Sequence, residues 1–392
     1  MPRPAWARPI AALATLAAVA ALTATAPTAA AARPAPPAPD LPGVRAALRH
    51  VVDAGAPGAF AVIRDHGARE RQESSAVGRA DLDGTPMNPA WRFRAGSVTK
   101  MFTTVLVLRL AEQGRIDLDR PLRDYLPRGL LPEERQLTAR QAMQHRAGLY
   151  DHADDLLGGP GEETTEVFDA RVRHAVHDPR DLVALSVAHG PQFPPGTDYA
   201  YSNTGFVLMG LAVEHLTGRP YAEVLREEIL APLRLRQTSF VVPEESIDGP
   251  HITGYLTPDG HGRPLLDATE QTASWIWSAG AVISTAADLD RFLTALLTGT
   301  LLTDGSLRQM TAVLPTAHPK VRYGLGLREL ALSCGPVLGH SGVVQGYQNQ
   351  TFATPDGTRT VVTFANASNN DAITEGLKSA LEPAFCGRPP GG

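Results

Sequence analysis

The chain has 392 residues, 43% hydrophobic and 20% charged, which suits a large globular core built as one domain or as two interleaved lobes. A formal net charge of −5, with no basic cluster beyond the first residues, argues against nucleic acid as the main partner and leaves little acidic steering. Cys334 and Cys386, the only two cysteines, have no His or second Cys at ligand spacing, which speaks against a metal centre or a catalytic thiol.

Arg3 and Arg8 precede an Ala-, Leu- and Val-rich segment over 10–24, and small residues follow through Ala29-Ala30-Ala31-Ala32. That is the pattern of a secretory signal peptide over 1–32; a signal anchor is the alternative, but the apolar part is Ala-rich and short for a bilayer span. No second apolar stretch is long enough to cross a membrane, and the C-terminus lacks a hydrophobic tail. The mature chain is therefore expected to be secreted, soluble and without a stable membrane anchor. Residues 33–40 read as a proline-rich leader, 41–387 as the folded catalytic domain and 388–392 as a short tail. In an oxidising compartment Cys334 and Cys386 are readily paired, which would tie the last strand region to the C-terminal helix. Two buried thiols are the alternative.

Residues 41–54 have the spacing of an amphipathic helix, and 58–65 with 74–81 read as two strands joined by a charged turn. Trp91-Arg92-Phe93-Arg94 then leads into Gly96-Ser97-Val98-Thr99-Lys100 and an apolar run over 101–110 that stops near Gly114. As a helix this run is apolar on nearly every side, so it should be buried, with Ser97 and Lys100 one turn apart on the same face. A serine hydroxyl at the first turn of a buried helix sits near free backbone N–H groups and the positive end of the macrodipole, good ground for an oxyanion. An amine carried into the core beside it must find polar partners or lose its proton. Either outcome can activate Ser97 as a nucleophile. The same tetrad would also serve as a plain helix start with a snorkelling lysine.

Thr138 is placed to cap a helix over 138–145 that breaks at Gly148. The polar stretch 151–181, with Gly158-Gly159-Pro160-Gly161 inside it, reads as a loop-rich region over a helical lobe, the kind of segment that forms the rim of a site. Phe193-Pro194-Pro195-Gly196 is a rigid turn that delivers Tyr199-Ala200-Tyr201-Ser202-Asn203, followed by an apolar helix over 206–216 that ends at Gly218. Residues 254–267 and 274–277 read as loop or short-strand material, and Thr285 can cap a helix over 287–297. From Tyr323 the pattern changes to short apolar runs: strands are expected over 323–327, 337–339, 348–353 and 360–364, with Pro355-Asp356-Gly357 as a hairpin turn. A final helix over 371–381 leads to Cys386. These elements make an α+β protein: an antiparallel sheet of five or more strands flanked by helices, with a mostly helical lobe inserted.

Three short motifs stand in order: Ser97-Val98-Thr99-Lys100, Tyr201-Ser202-Asn203 and His340-Ser341-Gly342. Together they resemble the serine penicillin-recognising superfamily of DD-peptidases and class C beta-lactamases, with its beta-lactamase/transpeptidase-like fold. Phe93-Arg94-Ala95-Gly96-Ser97, His145-Arg146-Ala147-Gly148-Leu149-Tyr150-Asp151, 278–284 and 344–347 are similar to the exported DD-carboxypeptidases of filamentous actinobacteria. So are Ser368-Asn369-Asn370 and Ala384-Phe385-Cys386-Gly387. In that family the two cysteines are disulfide-bonded.

By this resemblance Ser97 is the acylated nucleophile, Lys100 assists its deprotonation, and Tyr201, near Lys100 and His340, shuttles the proton. Which of Lys100 and Tyr201 takes it is left open. Asn203 would bond Lys100 and the substrate amide. His340 is expected to begin an edge strand, Ser341 to offer its hydroxyl to the substrate, and the backbone N–H groups of Ser97 and Val343 to form the oxyanion hole beside Gly342. Family members commonly carry Thr at 341 and 343, so Val343 lacks one hydroxyl. Arg328 holds the position for gripping a substrate carboxylate, for which a guanidinium fork is suited. Trp275 would wall the pocket, and Ser368 would meet the peptide at its far end.

The implied activity is that of a serine D-Ala-D-Ala carboxypeptidase or transpeptidase on peptidoglycan stem peptides, acylated also by beta-lactams, with no metal or cofactor, in a monomer. A class C-like beta-lactamase or a D-amino-acid amidase or esterase is the alternative among hydrolases. A beta-lactam or muropeptide binding protein that does not hydrolyse is the alternative of another class.

Overall fold

A computed structural model describes residues 36–67, 70–158, 164–259 and 263–388. The expected signal peptide 1–32, leader residues 33–35, Gly159-Pro160-Gly161 and tail residues 389–392 lie outside the described residues.

Eight strands form one antiparallel sheet: β1 (Gly58–Asp65), β2 (Arg71–Gly78), β3 (Leu314–Pro315), β4 (Val321–Tyr323), β5 (Arg328–Leu332), β6 (Gly335–Val344), β7 (Tyr347–Ala353) and β8 (Arg359–Ala365). Their order is β2-β1-β8-β7-β6-β5-β4-β3. The helices that carry the architecture are α1 (Leu41–Asp53), α2 (Thr99–Glu112), α3 (Ala139–Met143), α4 (Thr204–Thr217), α5 (Ala286–Leu297), α6 (Asp371–Ser379) and α7 (Leu381–Cys386). The class is α+β, as expected.

Both faces of the sheet are covered, so β1 and the middle of β8 read as apolar runs rather than alternating ones, while β7, equally buried, carries the polar run Gln348-Asn349-Gln350-Thr351. Ala59, Ala61 and Ile63 of β1 with Val361 and Ala365 of β8 pack on Val44, Leu48 and Val51 of α1 and on Ile373, Leu377 and Leu381. The residues between them, Phe60, Val62, Val362 and Phe364, face a larger core shared with the helical lobe. Burying each such side chain contributes roughly 1.5–3 kcal/mol. In β8, Arg359 is only 1% exposed; it forks onto Asp65 at 2.6 and 3.0 Å and donates to the carbonyls of Pro37, Ala384 and Phe385. Cys334, in the turn between β5 and β6, is bonded to Cys386 at the end of α7.

α2 is buried along nearly its whole length, as its all-round apolar sequence requires, and lies against α4 in the core. α3 starts in a capping box: Gln141 N donates to Thr138 Oγ1 at 3.2 Å and Thr138 N to Gln141 Oε1 at 3.0 Å. α4 ends at Gly218 in the left-handed region (φ 71°), and Thr285 Oγ1 caps α5 by accepting from Asp288 N. Among the described residues no helix is long and apolar enough to cross a membrane.

Four expectations are corrected. The strand expected over 74–81 is Arg71–Gly78, paired with β1 from Asp65–Arg71 to Gly58–Gly78. It lies at the sheet edge, where Arg71, Gln72 and Glu73 are exposed, so its first half lacks an apolar signal. Among the described residues of 151–181 the chain is not mainly loop. It holds helical turns at His152–Leu156 and Thr164–Val167 and the start of Pro179–Ala188, with Asp151 and Asp178 as N-caps. The strand expected over 323–327 straddles a turn, because Gly324 N donates to Leu327 O and Gly326 has φ 63°. His340 does not begin an edge strand; it lies in the middle of β6, an inner strand. Yet β5 pairs with β6 only as far as Arg328–Gly339, so from His340 to Val344 the strand has β7 on one side and no strand on the other.

Candidate active site

Three elements of different lobes meet at Ser97. The chain leaves Ala95, makes one tight turn over Gly96–Val98 and enters α2. Gly96 has φ 56°, and a Cβ there would stand 2.7 Å from Val343 O and 2.8 Å from Val343 N; a Cβ on Gly342 would run into the Ala95 carbonyl. The two glycines thus let the backbone of β6 lie directly against the serine turn. Counting back from the two-residue turn Gln345-Gly346, the closing pair is Val344–Tyr347, so Val343 opposite Gln348 falls in a pair that exchanges no ladder bonds. Its N–H turns away from β7, toward the side that β5 has vacated. Ser97 N is one of the unpartnered donors of a helix start.

Lys100 has no exposed surface. Its Nζ lies 3.0 Å from Ser97 Oγ, 2.7 Å from Asn203 Oδ1 and 2.9 Å from the Ala279 carbonyl. Two of these partners can only accept. In the neutral amine they hold both hydrogens, and the lone pair faces the Ser97 hydroxyl. Burial pulls the Lys100 amine well below its ordinary value, Asp151 pushes back, and Arg328 adds to the lowering.

Tyr201 donates from Oη to Ser97 Oγ at 2.9 Å, and Lys100 Nζ lies 4.9 Å from the centre of its ring. Burial pushes this phenol above its ordinary value, more than the nearby Arg328 cation lowers it. Asn203, just before α4, spans two groups: Oδ1 accepts from Lys100 and Nδ2 donates to Asp151 Oδ2 at 2.8 Å.

Arg328, at the start of β5, donates from Nη1 to Ser341 Oγ at 2.6 Å, and its guanidinium carbon lies 5.6 Å from the Tyr201 ring centre. It is the cation on the β6 side of the cluster. His340 is not: both ring nitrogens are taken, Nδ1 by the Ser341 carbonyl at 2.5 Å and Nε2 by Tyr323 Oη at 2.8 Å. A carbonyl only accepts, so Nδ1 carries the hydrogen and Nε2 accepts from the phenol. Burial, Arg328 and Lys100 all hold this imidazole well below its ordinary value, so it is neutral. Its ring centre is 6.5 Å from that of Tyr201, with no hydrogen bond between them.

The structure therefore brings Ser97, Lys100, Tyr201 and Asn203 into direct contact, with Arg328, Ser341, Gly342 and the Val343 backbone beside them. His340 stands one layer back. Trp275 is 2% exposed within the larger core, and its carbonyl is paired with His152 Nε2 at 2.9 Å. Ser368 is buried, its hydroxyl accepting from Gly346 N–H at 2.8 Å. Both hold the structure around the site and make no hydrogen bond to the Ser97 cluster. A cavity of about 660 Å³ lined by Arg135, Val187 and the 190–195 turn touches none of these residues.

Asp151, His145 and Tyr323 also belong to the site and lie outside its three motifs. Asp151 accepts from Asn203 Nδ2 and from Ala153 N; burial raises its carboxyl, and these N–H groups with Lys100 oppose that. His145, at φ 58°, packs its ring 4.1 Å from Tyr201 and accepts Ser202 N–H on Nδ1. The signal was the segment 145–151, whose polar ends flank Ala147-Gly148. Among the described residues no group of three or more His, Cys, Asp or Glu is placed to hold a metal ion.

The family model described as Beta-lactamase matches residues 44–381. Penicillin-binding protein 4 of Amycolatopsis lactamdurans is 31% identical over 223 residues, 55% of this chain and 53% of its own. A D-aminopeptidase of Cereibacter sphaeroides is 29% identical over 320 residues, 79% of this chain and 57% of its own. The chain thus spans little more than half the length of these two curated relatives. The crystal structure of a D-stereospecific amidohydrolase from Streptomyces sp. superposes with a TM-score of 0.76 at 33% identity, covering 90% of this chain and 100% of that one.

Proposed function

The chain belongs to the beta-lactamase family, and on that premise we propose that it is a secreted serine D-Ala-D-Ala carboxypeptidase acting on peptidoglycan stem peptides, with 41–387 as its catalytic domain. Ser97 Oγ attacks the carbonyl of the penultimate D-Ala while Lys100 Nζ takes its proton. The carbonyl oxygen, now an anion, rests on the N–H groups of Ser97 and Val343; one such donor contributes on the order of 10²–10³ in rate. Tyr201 Oη donates its proton to the leaving nitrogen and is reprotonated from Lys100. The C–N bond breaks, D-Ala departs, and water attacks the ester on Ser97 to regenerate the hydroxyl.

The division of roles follows from the opposite displacement of the two candidates: burial lowers the amine toward neutrality and raises the phenol away from phenolate. Lys100 is the base and Tyr201 the acid toward the leaving group. Beta-lactams acylate the same serine, their ring amide standing in for the peptide bond.

The observation that carries the carboxypeptidase assignment is Arg328 held by Ser341 beside Tyr201, a fixed cation where a C-terminal carboxylate would lie. A second reading, a D-amino-acid amidase or aminopeptidase, is favoured by the likeness to the D-stereospecific amidohydrolase over its full length. An N-acyl-D-Ala-D-Ala peptide and an unblocked D-amino-acid amide separate the two. Release of D-Ala from the first with little turnover of the second is expected; the reverse preference overturns the proposal.

A further inference from the structure

We propose that the site extends beyond Arg328 into an apolar groove that receives the side chain of the leaving residue, so that C-terminal D-amino acids with large apolar side chains are released in preference to D-Ala. This rests on the carboxypeptidase assignment above.

Arg328, Leu330 and Leu332 alternate along β5 and share one face of the sheet. With Val321 and Phe352 they line a groove of about 570 Å³, within the range of small-ligand sites. Leu330, Leu332 and Val321 are only half-buried, so apolar surface lies open directly behind the cation. The charges around it favour an anion with an apolar body. Glu375 is paired with Lys378 at 2.6 Å, and Glu382 accepts from Ser333. Serine is neutral, so Glu382 keeps its charge, and Lys320 has no ion pair among the described residues; the lining thus sets three cations, Arg328, Lys320 and Lys378, against the two carboxylates Glu375 and Glu382. A leaving residue whose carboxylate sits on Arg328 places its own side chain, two bonds away, over Leu330. Alanine leaves that surface wet; leucine or phenylalanine covers it.

The test measures kcat/KM for D-Ala–X substrates with X as D-Ala or D-Phe, each made with an acylated and with a free amino terminus. In whichever series the enzyme turns over, D-Phe should be released about tenfold or more faster than D-Ala. Leu330→Gln should bring that ratio to within about twofold of one, and Leu332→Gln serves if the first variant does not melt cooperatively. Turnover of the free-amine series alone, with the D-Phe preference intact, overturns the carboxypeptidase assignment and supports the groove. Equal rates for both leaving residues in the wild-type enzyme, or a ratio that neither variant changes, overturns the groove. So does turnover of neither series. Light scattering on the same samples covers one other occupant: a dimer with no leaving-residue preference assigns the face to a second copy and overturns the proposal.

Discussion

Asn203 bridges Lys100 and Asp151, accepting from the amine at 2.7 Å and donating to the carboxylate at 2.8 Å, so a buried acid reaches a buried amine through one amide. Both Asp151 oxygens receive N–H donors, which suits the ionised carboxylate, and its charge opposes the loss of the Lys100 proton. Asp151→Asn should therefore lower the Lys100 value further. With Lys100 as the proposed base, acylation requires the neutral amine, so the acid limb of its rate should move to lower pH. The second-order rate of penicillin labelling, followed from pH 4 to 9 by intact mass, measures it. A uniform loss of rate with the limb in place would reduce Asp151 to packing.

Lys100 and Tyr201 can be told apart by the leaving group. A peptide amine must be protonated to depart, whereas a thioester or activated ester leaves as its anion. Tyr201→Phe should cost on the order of 10²–10⁴ on a peptide and far less on a thioester, because general acid catalysis is lost only where it is needed. Lys100→Met should cost both substrates alike. Equal losses for Tyr201→Phe on the two substrates would make the phenol the base instead.

Arg328→Gln keeps a donor for Ser341 but removes the charge. For a peptide ending in a free carboxylate, kcat/KM should fall about 10- to 100-fold, the value of a hydrogen bond to a charged group. The same peptide with an amidated C-terminus should be barely affected. If both fall together, Arg328 acts by shaping Tyr201 and not by holding substrate.

The order of helices and strands was legible because the patterns were local: the apolar run of α2, Thr138 and Thr285 as caps, and Gly218 as a stop. Ser97 and Lys100 share a helix start, so their proximity was legible as well. What was not legible depends on pairing between distant strands. That β5 stops opposite Gly339 decides that the second half of β6 is open to the site, and no residue near His340 announces it. The state of His340 is set by Tyr323 and by the Ser341 carbonyl, partners that no motif names. Asp151 closes the segment 145–151, but only the fold turns it toward Asn203.

Arg359 joins β8, Asp65, the Pro37 segment ahead of α1 and the end of α7 through a guanidinium with 1% exposure. Arg359→Leu leaves Asp65 without its partner and three carbonyls without a donor. Breaking a buried pair from one side costs about 3–5 kcal/mol, so the melting temperature should drop by several degrees. Calorimetry of the two proteins checks it, and a shift within one degree would mean that the carbonyls and Asp65 find other partners.

His66 follows β1 and fastens it to α5, its Nε2 2.7 Å from Asp290 Oδ1 and 3.1 Å from Thr294 Oγ1. Asp290 also takes Arg64 at 3.3 Å and the Thr360 hydroxyl. The hydrogen bond to Asp290 is the main cause that raises the His66 imidazole above 6.5; burial and Arg64 work against it, while the charges of Asp290 and Glu70 add to it. A value raised on folding means that the protonated ring stabilises the fold. That contribution is fully present below about pH 6.5, the ordinary histidine value, and is lost as pH rises through the folded value. His66→Gln retains a donor to Asp290 without the charge. The difference in urea midpoint between wild type and variant should therefore be largest near pH 5.5 and shrink toward pH 9, whatever the carboxylates elsewhere do to both proteins. A difference that is constant with pH, or that grows toward alkaline pH, would show that the contact holds through the neutral ring.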